Sequence, residues 1–489
     1  MDERHSSFPA ITRTPFGGGF LCVCGRRPHS SLCLLHMLKT FSMYAEKIAH
    51  NGAAVGSHEG KSVYVHGMLP GEEGVVEVQK KHRLYLGTLK ELTHASPRRK
   101  NPEELHYLSC SPWQVMEYPL QAELKQGLLQ ELFHYYADAP KATFVPASQF
   151  YGYRTKIEFS FSDRAMSDRV VVDQEVLRPA GRMCDMEGEH TMPLSLAFHV
   201  RGGGSARIPL PKGCVLASEE MNRVALAITE RLRALGHPAS HLKTLVIRES
   251  KSSGKLLAML YAKKEDLAKF SVDDISGLSG FFAFYSTERS PASVETKELW
   301  RWGEDMLFER VSGLDIGYSR DAFFQNNIPL FEKVMESIAS CVPDDARVVE
   351  LYAGVGTIGL CLAEKAASVH GVEIVPAATA AAKHNAEQNG ITNYVAECIP
   401  AEKMDARLLD GKDVLILDPP RSGLHPKVLA MIEEKRPQTI IYLSCNPETQ
   451  ARDYSQLSAL YRIDKLTGFD FYPQTPHLES LLCLSLREA

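Results

Sequence analysis

The sequence has no excess of positive charge. Its 55 Lys and Arg face 60 Asp and Glu, a net charge of −5. The chain as a whole therefore does not advertise a polyanionic partner, although a local basic patch stays open. No apolar run approaches the length of a membrane span, and repeats and long low-complexity tracts are missing. The eleven cysteines are scattered without a paired framework. A chain of 489 residues needs no disulfide staples, so a reducing, cytosolic compartment fits best. What remains is the composition of a soluble globular protein, 44% hydrophobic and 24% charged, long enough for two or three domains.

Residues 1–42 read as a disordered leader or an over-extended start. Their stretch "FLCVCGRRPHSSLCLLHML" is broken by Gly, Arg, Pro and His, which makes a poor signal peptide. Cys22, Cys24 and Cys33 lack the second pair that would complete a metal site. Residues 43–96 alternate short β-branched runs with Gly and Pro turns, the pattern of a small antiparallel β-barrel. Its later strands carry Lys80, Lys81, His82, Arg83 and Lys90 around Tyr85, which suits a phosphate backbone or, equally, a solvated strand face. Residues 97–325 mix strands with the helical stretches 119–137 and "SEEMNRVALAITERLRALG", an α+β region. Residues 326–489 alternate strand-like runs at 347–352, 369–375, 413–418 and 439–444 with helices, which predicts a parallel, doubly wound α/β sheet.

The chemistry-bearing residues fall at the ends of those runs. "VVELYAGVGTIGL" (348–360) is a strand, a glycine turn and a helix start. Gly354 and Gly356 clear space for a ligand to reach backbone, and Gly359 completes GxGxxG. Glu373 ends the next strand, where an acid can accept hydrogen bonds from both hydroxyls of an adenosine ribose. NAD and S-adenosylmethionine sites both use this arrangement. "DVLILDPPRSGLHP" (413–426) ends a strand in Asp418 and two prolines, a rigid loop that suits a planar nucleobase. Its plainer reading is a stiffened turn with Asp418 as a helix cap. "IIYLSCNPET" (440–449) ends a strand in Cys445. A helix expected from about Glu448 would favour a thiolate there through its dipole.

The ordered set "FFQNN" (323–327), "ELYAGVGTIGL", "DPPRSGL", "LSCNPETQARD" and "TPHLESLLCL" resembles the S-adenosylmethionine-dependent RNA uracil-5-methyltransferase family. The resemblance runs from about residue 43 to the end. It implies a C-terminal Rossmann-like class I methyltransferase domain, an α+β central domain and an N-terminal OB-like barrel of the TRAM type. It also implies S-adenosyl-L-methionine as cofactor and RNA as partner, ribosomal RNA favoured over transfer RNA. By the same resemblance Cys445 is the nucleophile that adds to C6 of uracil, and Glu479 is the base that removes the C5 proton. Gln325, Tyr352, Thr357, Glu373 and Asp418 match cofactor-contacting positions.

Two departures stand out. Many relatives hold a 4Fe–4S cluster through a CGGC-type stretch before a Gln. Counting back from Gln114 puts Leu108 and Ser111 at those cysteines. Cys110 is left without nearby partners, Cys184 and Cys214 being far away in sequence, so neither an iron–sulfur cluster nor another metal is expected. Pro400 stands where relatives commonly place an acid, which puts the adenine-side contact in doubt. The rivals are an NAD-dependent oxidoreductase, a methyltransferase for another base and a non-catalytic RNA-binding protein. Only uracil-5 methylation uses both Cys445 and Glu479. The expected enzyme is cytoplasmic, monomeric and free of the membrane.

Overall fold

The computed structural model describes residues 39–81, 83–136, 139–164, 191–202, 205–287, 289–290 and 293–488. Most of the expected leader, with Cys22, Cys24 and Cys33, lies outside the described residues, as do His82 and Cys184. Six strands, Lys39–Tyr44, Lys47–Ile48, Ala54–His58, Lys61–Val65, Glu73–Lys81 and Leu84–His94, make the first sheet. The sheet curls onto itself where the Glu46 N–H donates to the Val55 carbonyl at 2.8 Å. A side chain at Gly56 would run into the Tyr44 carbonyl oxygen, so this crossing needs glycine. Val63, Val65, Val76 and Leu89 fill the inside of the curl. Lys80, Lys81 and Arg83 stay exposed at the far end, while Lys90 pairs with Glu77 at 3.0 Å.

A seven-stranded sheet forms the centre, in the order Arg207–Pro209, Thr191–His199, Lys156–Arg164, Leu242–Glu249, Leu256–Ala262, Leu278–Tyr285 and Lys297–Gly303. The helix Glu219–Ala234 buries Met221, Val224, Ile228 and Leu232 in the core formed with this sheet. Its ends are well made. The Ser218 side chain accepts the Met221 N–H, acids occupy the first turn, and Arg231 and Arg233 occupy the last, which complements the helix dipole.

The C-terminal sheet has eight strands, ordered Tyr394–Cys398, Ser368–Glu373, Arg347–Leu351, Val414–Leu417, Thr439–Ser444, Glu479–Leu486, Tyr461–Phe469 and Thr143–Val145. The first five are parallel, as the β–α alternation predicts. Both faces are covered, which is why Val414–Leu417 is buried at every position. Glu479–Leu486 runs antiparallel to Thr439–Ser444, and this reversal brings two distant motifs to one edge.

The edge strand Thr143–Val145 and the helix Tyr118–Phe133 come from the stretch assigned to the central region, yet they pack on the C-terminal sheet. Leu129 and Phe133 sit in a core with Tyr454 and Leu466. Lys125 meets Asp470 at 2.5 Å with both side chains inaccessible to solvent. Such a pair offsets its desolvation only through close geometry, so it fixes where this helix docks. Cys341 and Cys483, 142 residues apart, are disulfide-bonded, which corrects the expectation of wholly unpaired cysteines. Fold-level proximity, invisible in sequence spacing, joins them. Among the described residues, no helix is long and apolar enough to cross a membrane.

Candidate active site

The strand Arg347–Leu351 turns through Tyr352, Gly354 and Gly356, with φ of 64°, 56° and 83°. Glycine takes this left-handed conformation freely. At Tyr352 it costs about 1 kcal/mol or more, strain of the kind that collects at functional sites. The three glycines divide their duties. A side chain at Gly354 would meet nothing within 4 Å, so a ligand has open access to backbone there. At Gly356 a Cβ would crowd Tyr394 at 2.9 Å and Ala382 at 3.1 Å. At Gly359 it would strike Glu350, whose buried carboxylate accepts the Gly359 N–H at 3.0 Å. The GxGxxG match is thus one ligand-facing glycine and two packing glycines. Thr357 is the buried first residue of the helix Thr357–Leu362.

Glu373 closes the same cradle. One carboxylate oxygen accepts the Gly354 N–H and the other the Val375 N–H, each at 2.8 Å. Each oxygen retains a lone pair, the number needed for the two hydroxyls of a ribose. An adenosine moiety therefore fits these residues on two observations, the open face of Gly354 and the oriented carboxylate. The short helix Ala401–Lys403 begins at Pro400, which offers neither an acid nor an N–H.

Asp418 follows the next strand, and burial raises its carboxyl to about 7. It is no helix cap: that role belongs to His425, whose side chain accepts the Lys427 N–H. Among the described residues no hydrogen bond reaches its carboxylate, so the group is free for a ligand. The "DPPRSGL" loop is rigid because Asp453 grips it. The Asp453 carboxylate accepts the Leu424 N–H and the Tyr442 hydroxyl, both at 2.8 Å. A side chain at Gly423, where φ is 80°, would collide with Arg452 and Asp453.

Cys445 and Glu479 are brought face to face by strand register. Ser444 pairs with Ser480, and one step outward along the same antiparallel ladder sets Cys445 across from Glu479. Gln450 locks the pair of strands at this end. Its Nε2 donates to the carbonyls of Tyr442 at 2.7 Å and Ser480 at 3.2 Å, and its Oε1 accepts the Ser480 hydroxyl. Glu479 is only 5% exposed. Burial first, then the Asp418 charge, hold its carboxyl well above the ordinary range. Tyr472 donates to its Oε1 at 3.3 Å.

The Cys445 thiol departs from expectation. Burial, then the nearby Glu479 carboxylate, push it up to about 11, while the Arg421 guanidinium works the other way. The helix does begin beside it, at Pro447, but its dipole is set against desolvation and two acids. These surroundings oppose the thiolate that the helix alone would favour. Arg421 lies inside the "DPPRSGL" motif, yet no sequence signal assigns it a role. Its backbone carbonyl accepts from Asn446 Nδ2 at 2.9 Å and Thr449 at 3.3 Å, so the loop and the cysteine turn move as one. Burial, and then the charges of Arg421, Lys125, Arg154 and Arg201, push His477 down to about 4. The charges of four cations thus reach this side chain.

Gln325 is buried, and its backbone carbonyl accepts from the Thr155 hydroxyl at 2.8 Å. Asn327, two residues on, caps the helix Ile328–Ala339 and donates to the Phe471 carbonyl at 3.2 Å. The "FFQNN" stretch is therefore pinned between Thr155 at the entry to the central sheet and the loop that carries Tyr472. Cys110 is not isolated, contrary to the expectation from spacing: Cys214 Sγ lies 3.9 Å from its Sγ. The fold closes a gap of 104 residues that spacing could not show. Two cysteines do not supply the four thiolates that a 4Fe–4S cluster takes, and no other cysteine among the described residues joins them.

The model of the tRNA (uracil-5-)-methyltransferase family matches residues 305–487. Over that C-terminal stretch the chain is similar to the RNA uracil-5-methyltransferase family. It is 29% identical over 458 residues to an uncharacterized RNA methyltransferase of Caldanaerobacter subterraneus, covering 89% of this chain and 96% of that one. An uncharacterized RNA methyltransferase of Chlorobaculum tepidum is 29% identical over 465 residues, covering 88% and 92%. Among solved structures, the fold matches the Pyrococcus abyssi tRNA (uracil-54, C5)-methyltransferase in complex with S-adenosyl-L-homocysteine. That match has a TM-score of 0.70 at 22% identity and spans 91% of this chain and all of the other.

Proposed function

We propose that this protein methylates C5 of a uridine in RNA through a covalent Cys445 adduct, with S-adenosyl-L-methionine as donor. The observation that carries the reading is the register that sets Cys445 opposite buried Glu479, at the sheet edge shared with the Glu373 cradle. Bound there, S-adenosylmethionine supplies a methyl group on a sulfonium. C5 of uracil is too weak a nucleophile to take it unaided. Cys445 gives up its proton to solvent as the base enters, helped by the Arg421 charge, and its sulfur bonds to C6. The displaced electron pair gives C5 carbanion character, and C5 attacks the methyl while the sulfonium sulfur keeps the leaving pair. Glu479 then removes the C5 proton, the S–C6 bond breaks, and Cys445 leaves with its electrons. A carboxyl whose proton affinity is raised by burial is a fitting acceptor for a carbon-bound proton. Asp418 and Gln325 serve the uracil edge or the cofactor, and Tyr352 and Thr357 shape the cradle.

A target base in folded RNA must be flipped out to reach this edge, where Arg421, Arg154 and Arg201 meet its phosphates. The exposed Lys80, Lys81 and Arg83 of the curled N-terminal sheet, read as a TRAM-type module, add affinity for a large RNA. Ribosomal RNA is the favoured substrate, and transfer RNA, named for the Pyrococcus enzyme, is the alternative. The work is done in the cytoplasm. Glu479→Gln should spare adduct formation and methyl transfer but block elimination. Enzyme and methylated RNA should then accumulate as a complex that survives denaturing electrophoresis. Near wild-type turnover with no trapped species would remove Glu479 from the mechanism.

A further inference from the structure

Four side chains that can ligate a metal converge away from the C-terminal sheet edge. Glu104, His106 and Cys110 lie on the stretch that follows the N-terminal sheet, and Cys214 lies in a turn after the strand Arg207–Pro209. One ligand atom from each lies within 4.8 Å of all the others. Cys110 Sγ and Cys214 Sγ are 3.9 Å apart, Cys214 Sγ and Glu104 Oε2 3.8 Å, and His106 Nε2 and Glu104 Oε2 3.1 Å. A tetrahedral zinc with Zn–S of about 2.3 Å and Zn–N or Zn–O of about 2.0 Å has corresponding edges of roughly 3.8, 3.5 and 3.3 Å. The four atoms already stand close to the corners of that tetrahedron.

His106 is a buried residue, 7% exposed, whose Nε2 stands beside the Glu104 carboxylate. The surroundings hold the ligands in place as a metal's outer partners do. The second oxygen of Glu104 accepts the Val215 N–H at 2.7 Å. Asn222 clamps the Cys214 backbone from both sides, each contact 2.9 Å. Phe198 packs edge-on against the His106 ring.

We propose that Glu104, His106, Cys110 and Cys214 bind one zinc ion in a closed structural site. Two thiolates and an imidazole select zinc over calcium or magnesium, and four protein ligands leave no position for a substrate. The ion ties the segment leading into the helix Tyr118–Phe133 to the central sheet, a loop of 104 residues. It stands in for the iron–sulfur cluster these residues do not fit, and the methyl transfer does not pass through it.

Protein purified anaerobically with a reductant should contain about one zinc per chain and only trace iron by elemental mass spectrometry. Cys110→Ser, Cys214→Ser and His106→Ala should each release the metal. Because such variants could misfold, the wild-type chain stripped of zinc and loaded with Co²⁺ gives a second reading. Intense visible ligand-field bands with a thiolate-to-cobalt charge-transfer band report two sulfurs on a tetrahedral metal. Folded, metal-free protein with both thiols titratable would overturn the proposal. About four irons per chain with sulfide would overturn it too, as would zinc retained by a folded Cys110→Ser, Cys214→Ser double variant.

Discussion

Cys445 meets two acids, Glu479 and Asp418, and one guanidinium, Arg421, at a strand end. Cys110 meets Cys214, His106 and Glu104. The number and charge of the neighbours differ between the two sulfurs. At the first site burial, Glu479 and Asp418 raise the thiol while Arg421 lowers it. At the second, a metal would keep both sulfurs deprotonated and inert.

The contrast breaks most visibly at the chemical step. Cys445→Ala should lower methyl transfer by on the order of 10⁴-fold or more, measured by single-turnover transfer of labelled methyl. Folded Cys110→Ser should keep its chemical step within a few fold while releasing its metal. Comparable loss of the chemical step in both would erase the distinction. A smaller effect separates the cofactor cradle from the nucleophile. Glu373→Ala removes the acceptor for two ligand hydroxyls and for the Gly354 N–H, so S-adenosylmethionine binding by calorimetry should weaken about 10- to 100-fold.

The pH dependence sharpens the account of Cys445. With the free thiol at about 11, its alkylation rate in RNA-free enzyme should climb with pH, about tenfold per unit below that value. Glu479 raises the thiol and Arg421 lowers it. Glu479→Gln should therefore move the midpoint down and Arg421→Ala should move it up, in mass-resolved alkylation of the Cys445 peptide. Movement in the same direction would show that the two groups act through something other than their charges. The smallest effect belongs to the N-terminal sheet. Replacing Lys80, Lys81 and Arg83 by Glu should flatten the salt dependence of RNA binding by roughly 0.7 to 0.9 for each phosphate no longer neutralised, with S-adenosylmethionine affinity unchanged.

The catalytic edge was legible because its parts sit at strand ends, and strand ends of a parallel sheet gather at one side. The strands expected at 347–352 and 413–418 appear as Arg347–Leu351 and Val414–Leu417. The single antiparallel return of Glu479–Leu486 then delivers Glu479 to Cys445. Sequence motifs could not show the thiol's protonation state, which depends on Glu479 and Asp418 arriving from other strands. Arg421 stood in view inside its motif, but only the folded loop puts it beside the sulfur. The Lys125–Asp470 pair and the Cys110–Cys214 approach join segments hundreds of residues apart or nearly so, and no local period encodes them. Counting positions back from Gln114 placed Leu108 and Ser111 where cysteines would otherwise stand, yet could not find the neighbours that the fold brings to Cys110.

An RNA substrate carrying 5-fluorouridine at the target position tests the central claim most directly. Fluorine at C5 leaves no proton for Glu479 to remove, so the wild-type enzyme should stop after the methyl transfer. Digestion and mass spectrometry should find the peptide containing Cys445 bonded to a uridine that carries both the fluorine and the new methyl. One equivalent of S-adenosylhomocysteine should form per chain. Turnover without any Cys445-linked nucleotide, or the nucleotide on another residue, would contradict the account.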